Sequence, residues 1–122
     1  MSNASMILIA DPNPFVRSFL TRELSTAGYQ TVEAGSGKEI FDQLNVEFPP
    51  DLMVMELDLP VSIGINVLER VQSLVPQIPQ IIYTHLSEYE NHPSVQKAYD
   101  FVEKNEDPYD LLHSISEVIK KV

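Results

Sequence analysis

Asp51-Leu52-Met53-Val54-Met55-Glu56-Leu57-Asp58-Leu59-Pro60 is apolar from its second residue until a carboxylate interrupts it, and a proline closes the loop that follows. A short apolar run without polar alternation describes a strand buried on both faces, as in a parallel sheet. Met6-Ile7-Leu8-Ile9-Ala10 has the same character and stops at Asp11. Ile78 to Thr84 makes a third such run, and Phe101-Val102 a short one ending at Lys104. Tyr29 to Ala34 is a less marked strand.

Helical signals fill the gaps. Asn13-Pro14 pairs a capping residue with a proline suited to the first helical position. Phe15, Val16, Phe19, Leu20 and Leu24 recur at spacings of three and four and predict a buried stripe, which Gly28 ends. Ser36 and Glu39 have capping-box spacing ahead of Ile40, Phe41 and Leu44. Ile65, Leu68, Val71, Leu74 and Val75 mark a third helix. Pro93 interrupts Glu88 to Tyr99, where only Val95 and Ala98 suggest a face, so the fourth helix is expected to be short or irregular. Asp107-Pro108, with Asp110, repeats the cap-plus-proline device before Leu111, Leu112, Ile115, Val118, Ile119 and Val122. The alternation predicts an α/β fold: a doubly wound, five-stranded parallel sheet with helices on both faces.

Composition narrows the function classes. At 122 residues the chain has room for one domain. A formal net charge of -10 argues against gripping nucleic acid or an anionic membrane surface. Cysteine is absent, which leaves neither a disulfide framework nor thiolate chemistry, and no apolar run approaches the length of a membrane span. A cytoplasmic protein is expected. Met1 to Ser5 reads as a cloning leader ahead of a natural Met6, so residues 6–122 are the expected domain.

Ligand chemistry in open parallel sheets sits beyond the carboxyl ends of the strands. Asp11, Glu56, Thr84 and Lys104 collect there. Carboxylates suit a divalent cation, and a hydroxyl with an ammonium suits phosphoryl oxygens. A solvated ion-pair cluster explains the same four residues equally well from their spacing. Gly35-Ser36-Gly37-Lys38 is not a P-loop: Val32 stands where the earlier glycine is needed, and Glu39 replaces the following hydroxyl residue. His85, His92 and His113 lack metal-ligand spacing.

The four strand-end segments, Ile7 to Asp11, Asp51 to Pro60, Ile81 to Thr84 and Phe101 to Lys104, resemble those of response regulator receiver domains, in order and along essentially the whole chain after the leader. The resemblance implies a non-enzymatic module of two-component (phosphorelay) signalling, with a sensor histidine kinase or another signalling protein as partner and a homodimer as one arrangement. It implies an acidic pair for Mg²⁺ after the first strand, a phosphoacceptor carboxylate after the third, a phosphoryl-binding hydroxyl after the fourth, and a lysine with an aromatic switch residue on the fifth. Those positions fall on Asp11 with Pro12, Glu56, Thr84, Lys104 and Phe101. Asp58 joins Asp11 and Glu56 in the implied metal set.

Three positions depart from the family pattern. Pro12 supplies neither a carboxylate nor an N–H, so the metal site is expected to be weak or lost and no cofactor is expected. Glu56 replaces the usual aspartate and carries its carboxylate roughly 1.5 Å further into the crevice, where displacements of about 1 Å matter to in-line transfer. Asn105 stands where the family has a cis-proline, so the following loop is expected to be re-routed. The expected function is therefore a receiver acting without phosphorylation, through protein contacts. The alternatives are an orthodox Mg²⁺-dependent phosphoacceptor using Asp58 or Glu56, and a small-molecule-binding module of flavodoxin-like architecture.

Overall fold

The structure, a computed structural model, describes residues 4–60 and 63–121. Most of the leader expected at residues 1–5, and Val122 of the last helical face, lie outside them. Within them β1 (Met6–Ala10), α1 (Pro14–Thr26), β2 (Gln30–Ala34), α2 (Gly37–Leu44), β3 (Leu52–Met55), α3 (Gly64–Leu74), β4 (Gln80–Thr84), α4 (Pro93–Lys97), β5 (Asp100–Glu103) and α5 (Tyr109–Lys121) follow one another, with a 3₁₀ turn at Ser87–Tyr89. The strands form one sheet in the order β2-β1-β3-β4-β5, every pairing parallel.

Because successive side chains point to opposite faces of a strand, each buried strand feeds two cores. Leu8, Ala10, Met53, Met55 and Ile82 meet Ile40, Leu44, Ile65, Leu68, Val71 and Val95 of α2, α3 and α4 on one side. Ile7, Ile9, Leu52, Val54, Ile81 and Tyr83 meet Leu20 and Leu24 of α1 and Leu111, Ile115 and Val118 of α5 on the other. The predicted doubly wound sheet is thus what forms, and burial of residues such as Ile9 or Met53 contributes on the order of 2 kcal/mol each.

The caps follow the sequence signals, with one change. Asn13 accepts from the N–H of Phe15 at 2.9 Å, and Gly28 adopts φ 97° after α1. Ser36 accepts from the N–H of Glu39 at 3.2 Å, but the Glu39 carboxylate reaches the N–H of Gly35 at 2.8 Å instead of completing the box on Ser36. Phe15, expected in the buried stripe, is 83% exposed, because it sits in the first turn of α1, past the end of the strand its helix covers. Leu74, expected in the α3 stripe, is also exposed, on the last turn of its helix. The fourth helix is as short as Pro93 suggested, at five residues.

Parallel order reverses direction of winding between β1 and β3, and the crevice of such a sheet opens beyond their carboxyl ends. Asp11 follows β1 there and Glu56 follows β3. The backbone N–H of Glu56 donates to Ala10 O at 2.9 Å, which fixes the two strand ends side by side.

Candidate functional site: the carboxyl end of the sheet

Lys104 is the centre of the crevice. Its Nζ donates to Asp11 Oδ2 at 2.6 Å and to Glu56 Oε1 at 2.6 Å. The Lys104 N–H donates to Thr84 O at 3.0 Å, extending the β4–β5 ladder by one rung past the strand and setting the side chain's starting point. After Lys104 the chain turns twice: Asn105 Oδ1 accepts from the N–H of Asp107 at 2.8 Å, and Asp107 Oδ1 accepts from the N–H of Tyr109 at 2.9 Å, just before α5. These successive side-chain turns leave Lys104 inside the crevice.

Glu56 is 6% exposed and its carboxylate is fully engaged. Oε1 takes the Lys104 ammonium; Oε2 accepts from the Thr84 hydroxyl, from the N–H of Leu57 at 2.7 Å and from the N–H of Asp58 at 3.0 Å. An ionised carboxylate offers about four lone-pair positions; four donors meet it here, three on Oε2 and one on Oε1. Thr84, wholly buried, also accepts from the N–H of Leu86 at 3.1 Å and so ties the carboxylate to the loop after β4. Burial by itself would push the Glu56 carboxyl up, but hydrogen bonds from Lys104, Thr84 and the Asp58 N–H, with the ammonium's charge, outweigh it and hold the group below the usual carboxylate range. Burial likewise would lower Lys104, yet Asp11 and Glu56 raise it above the ordinary lysine value. Glu56 and Lys104 are therefore an ion pair at neutral pH, and the same ammonium also meets the Asp11 side chain.

Asp11 is held from three sides. Its Oδ1 accepts from the N–H of Asn13 at 2.8 Å, its Oδ2 takes Lys104, and its carbonyl accepts from Arg17 Nη1 at 2.7 Å. Arg17 is a contributor that sequence reasoning missed, as are the N–H groups of Leu57 and Asp58; backbone donors carry no residue-type signal, and Arg17 sits on a helix face without a recognisable pattern. Tyr83 lies under Lys104, with Nζ 5.8 Å from its ring centroid. Phe101 is half-buried and packs against the α2–α4 core.

The implied metal does not fit this set. Pro12 contributes no oxygen from its side chain. The Asp58 side chain is exposed and makes no hydrogen bond to Asp11 or Glu56, while both of those carboxylates are committed to Lys104. Among the described residues no group of three or more His, Cys, Asp or Glu side chains is arranged to hold a metal ion. Also among them, no helix is long and apolar enough to cross a membrane.

The fold agrees with comparison to known proteins. The family described as response regulator receiver domain matches residues 7–116. The chain belongs to that family. It is a receiver domain of the two-component response regulators. It is 32% identical over 120 residues to the transcriptional activator protein ExaE of Pseudomonas putida, an overlap of 93% of this chain and 54% of that one. Another curated relative is spanned over 26% of its length, so the receiver domain corresponds to part of these longer regulators. In structure it is similar to the CheY-like receiver domain protein of Methanospirillum hungatei, with a TM-score of 0.89, 26% identity, and coverage of 98% of this chain and 96% of the other. It is also similar to the response regulator TrrA of Thermotoga maritima as seen in complex with the histidine kinase ThkA, with a TM-score of 0.84, 24% identity, and coverage of 93% and 97%. At that identity the second likeness bears on the fold alone.

Proposed function

We propose that this receiver domain signals without being phosphorylated, as a protein-interaction module whose crevice is held in one charge state by Glu56. The observation that carries the reading is the occupied carboxylate: Thr84, Lys104 and the N–H groups of Leu57 and Asp58 all donate to it. A nucleophilic carboxylate oxygen needs a free lone pair aimed at the incoming phosphorus. Here Oε2 takes three donors, and Oε1 is held by the Lys104 ammonium. The hydroxyl and ammonium that the family resemblance reserves for phosphoryl oxygens are already spent on a side-chain carboxylate, so the longer glutamate occupies the phosphoryl group's partners. No step of this reading passes through a metal ion.

Partner choice follows the family and the surface. The similar regulator TrrA has been seen with a histidine kinase, and we assign this domain a sensor kinase or another cytoplasmic signalling protein as its partner. The net charge of -10 supports a protein partner over nucleic acid. The test is incubation of the whole chain with acetyl phosphate and Mg²⁺, followed by intact-mass measurement. No adduct is expected. A stoichiometric adduct that survives acid and is lost in base would overturn the proposal.

A further inference from the structure

The α4 helix poses a separate problem. Five residues are too few for a helix to persist on its own, and its only buried members are Ser94 and Val95. One valine is a small apolar anchor for an element on the surface of the domain. What surrounds Ser94 is polar. Its hydroxyl donates to Glu69 Oε2 at 2.9 Å, and its carbonyl accepts from Gln72 Nε2 at 2.8 Å. Gln72 Nε2 also donates to Gln80 Oε1 at 3.0 Å, and Gln80 Nε2 in turn donates to Ile78 O. His92 Nδ1 accepts from the Ser94 N–H at 3.1 Å and caps the helix.

Glu69 and Gln72 are three residues apart on α3 and so face the same neighbour. Gln80 opens β4 and is 4% exposed, as is Ser94. A polar group so buried is tolerated only when its hydrogen bonds are met, and among the described residues no buried side-chain nitrogen or oxygen is without a partner. No side-chain hydrogen bond joins this cluster to Asp11, Glu56, Thr84 or Lys104.

We infer that Glu69, Gln72, Gln80 and Ser94 form a clamp that fixes α4 against α3 and β4, and that the clamp, not the ion bridge of the crevice, sets the surface α4 presents. The crevice reaches only as far as the Leu86 N–H through Thr84; beyond the 3₁₀ turn, α4 is held from below. A fully satisfied polar network specifies a single arrangement more sharply than an apolar contact of the same size. This goes beyond the proposed function, since the clamp would act whether or not the crevice were phosphorylated.

Amide hydrogen exchange read residue by residue in the intact chain tests it. The reporters are the N–H groups of Gln96 and Ala98, bonded to His92 O and Val95 O, with the N–H of Met53 in β3 as the control for global opening. Ser94→Ala is expected to speed exchange at the α4 reporters about fivefold relative to the control, and Gln72→Ala about tenfold, because it strands the Ser94 carbonyl and the Gln80 amide. Glu69→Ala should match Ser94→Ala, whereas Glu69→Gln, which keeps an acceptor, should stay within about twofold of the parent. Thr84→Ala and Glu56→Gln should also leave the ratio within about twofold. Unchanged ratios in Ser94→Ala and Gln72→Ala, or equal acceleration in Thr84→Ala, would overturn the inference.

Discussion

Lys104 and Glu56 are joined at 2.6 Å although they lie 48 residues apart in the chain, and the same ammonium meets Asp11 at 2.6 Å. All three side chains are at least largely buried, with relative exposures of 12%, 7% and 5%. Two carboxylates this close are tolerable only with the cation between them. Lys104→Met, which keeps the stem and removes the charge, should therefore cost about 3 kcal/mol, the scale on which breaking a buried ion pair by removing one partner destabilises. Glu56→Gln leaves Lys104 paired with Asp11 and keeps an acceptor, so it should cost about 2 kcal/mol at most. Urea unfolding of both variants measures the difference; a Lys104→Met midpoint equal to the parent's would show that the bridge is not structural.

The two shifted groups fix the direction of the pH dependence. The Glu56 carboxyl is held below its unfolded value of about 4.3, so its contribution is complete above that pH and is lost as pH falls through the lower folded value. Lys104 is raised above its unfolded value of about 10.4, so its contribution is complete below that pH and is lost as pH rises through the higher folded value. Stability from this pair should be flat between about pH 4.3 and about pH 10.4. In Glu56→Gln the acid-side loss should shrink, and the alkaline loss should shrink with it, because Glu56 is one of the two carboxylates that raise Lys104. Unfolding midpoints across a pH series would show it; an acid limb identical in parent and variant would remove Glu56 from the account.

Legibility in the sequence divided along physical lines. Strands buried on both faces have to be apolar at every position, so β1, β3 and β4 are visible as runs, and the residues ending those runs, Asp11, Glu56 and Thr84, are visible with them. Caps are local, so Asn13 and Ser36 announced their helices. Periodicity says which side of a helix is apolar but not how far the sheet beneath it extends, which is why Phe15 was placed in the core and stands in solvent. The bonds that hold Glu56 come partly from backbone N–H groups, which every non-proline residue has. The α4 clamp brings Gln72 to Ser94 across 22 residues and to Gln80 across eight, without a repeat or a residue-type signature to mark it.

Gly64 shows how the loop after β3 is held. A Cβ at this first residue of α3 would strike the Leu57 carbonyl, and Leu57 is a residue whose N–H binds the Glu56 carboxylate. The obstacle is backbone and cannot swing aside. Gly64→Ala should cost about 2 kcal/mol, in the range of overpacking, despite alanine's better helix propensity. Because the displaced segment carries a donor to Glu56, the N–H resonances of Leu57 and Asp58 should shift in an NMR spectrum of the variant. A stable Gly64→Ala protein with those resonances unmoved would mean the loop has room that this packing denies.

The four donors on Glu56 also predict what would restore acceptor chemistry. Glu56→Asp withdraws the carboxylate by roughly 1.5 Å, which releases donors such as Thr84 and Lys104 to the crevice. That change alone leaves Pro12 in place, and a divalent cation that relies on a few hard oxygen ligands would still lack a carboxylate. Glu56→Asp is therefore expected to remain unmodified by acetyl phosphate and Mg²⁺. Pro12→Asp combined with Glu56→Asp supplies both missing features and is expected to gain a single phosphoryl adduct by intact mass, with dependence on added Mg²⁺. Pro12→Asp alone, with Glu56 still holding Thr84 and Lys104, should gain none. An adduct on that single variant would show that the glutamate is a competent acceptor once a metal is held, and loss of the metal site would then become the whole reason for silence; an inert double variant would place the block elsewhere, with His85, exposed directly after Thr84, the next residue to change.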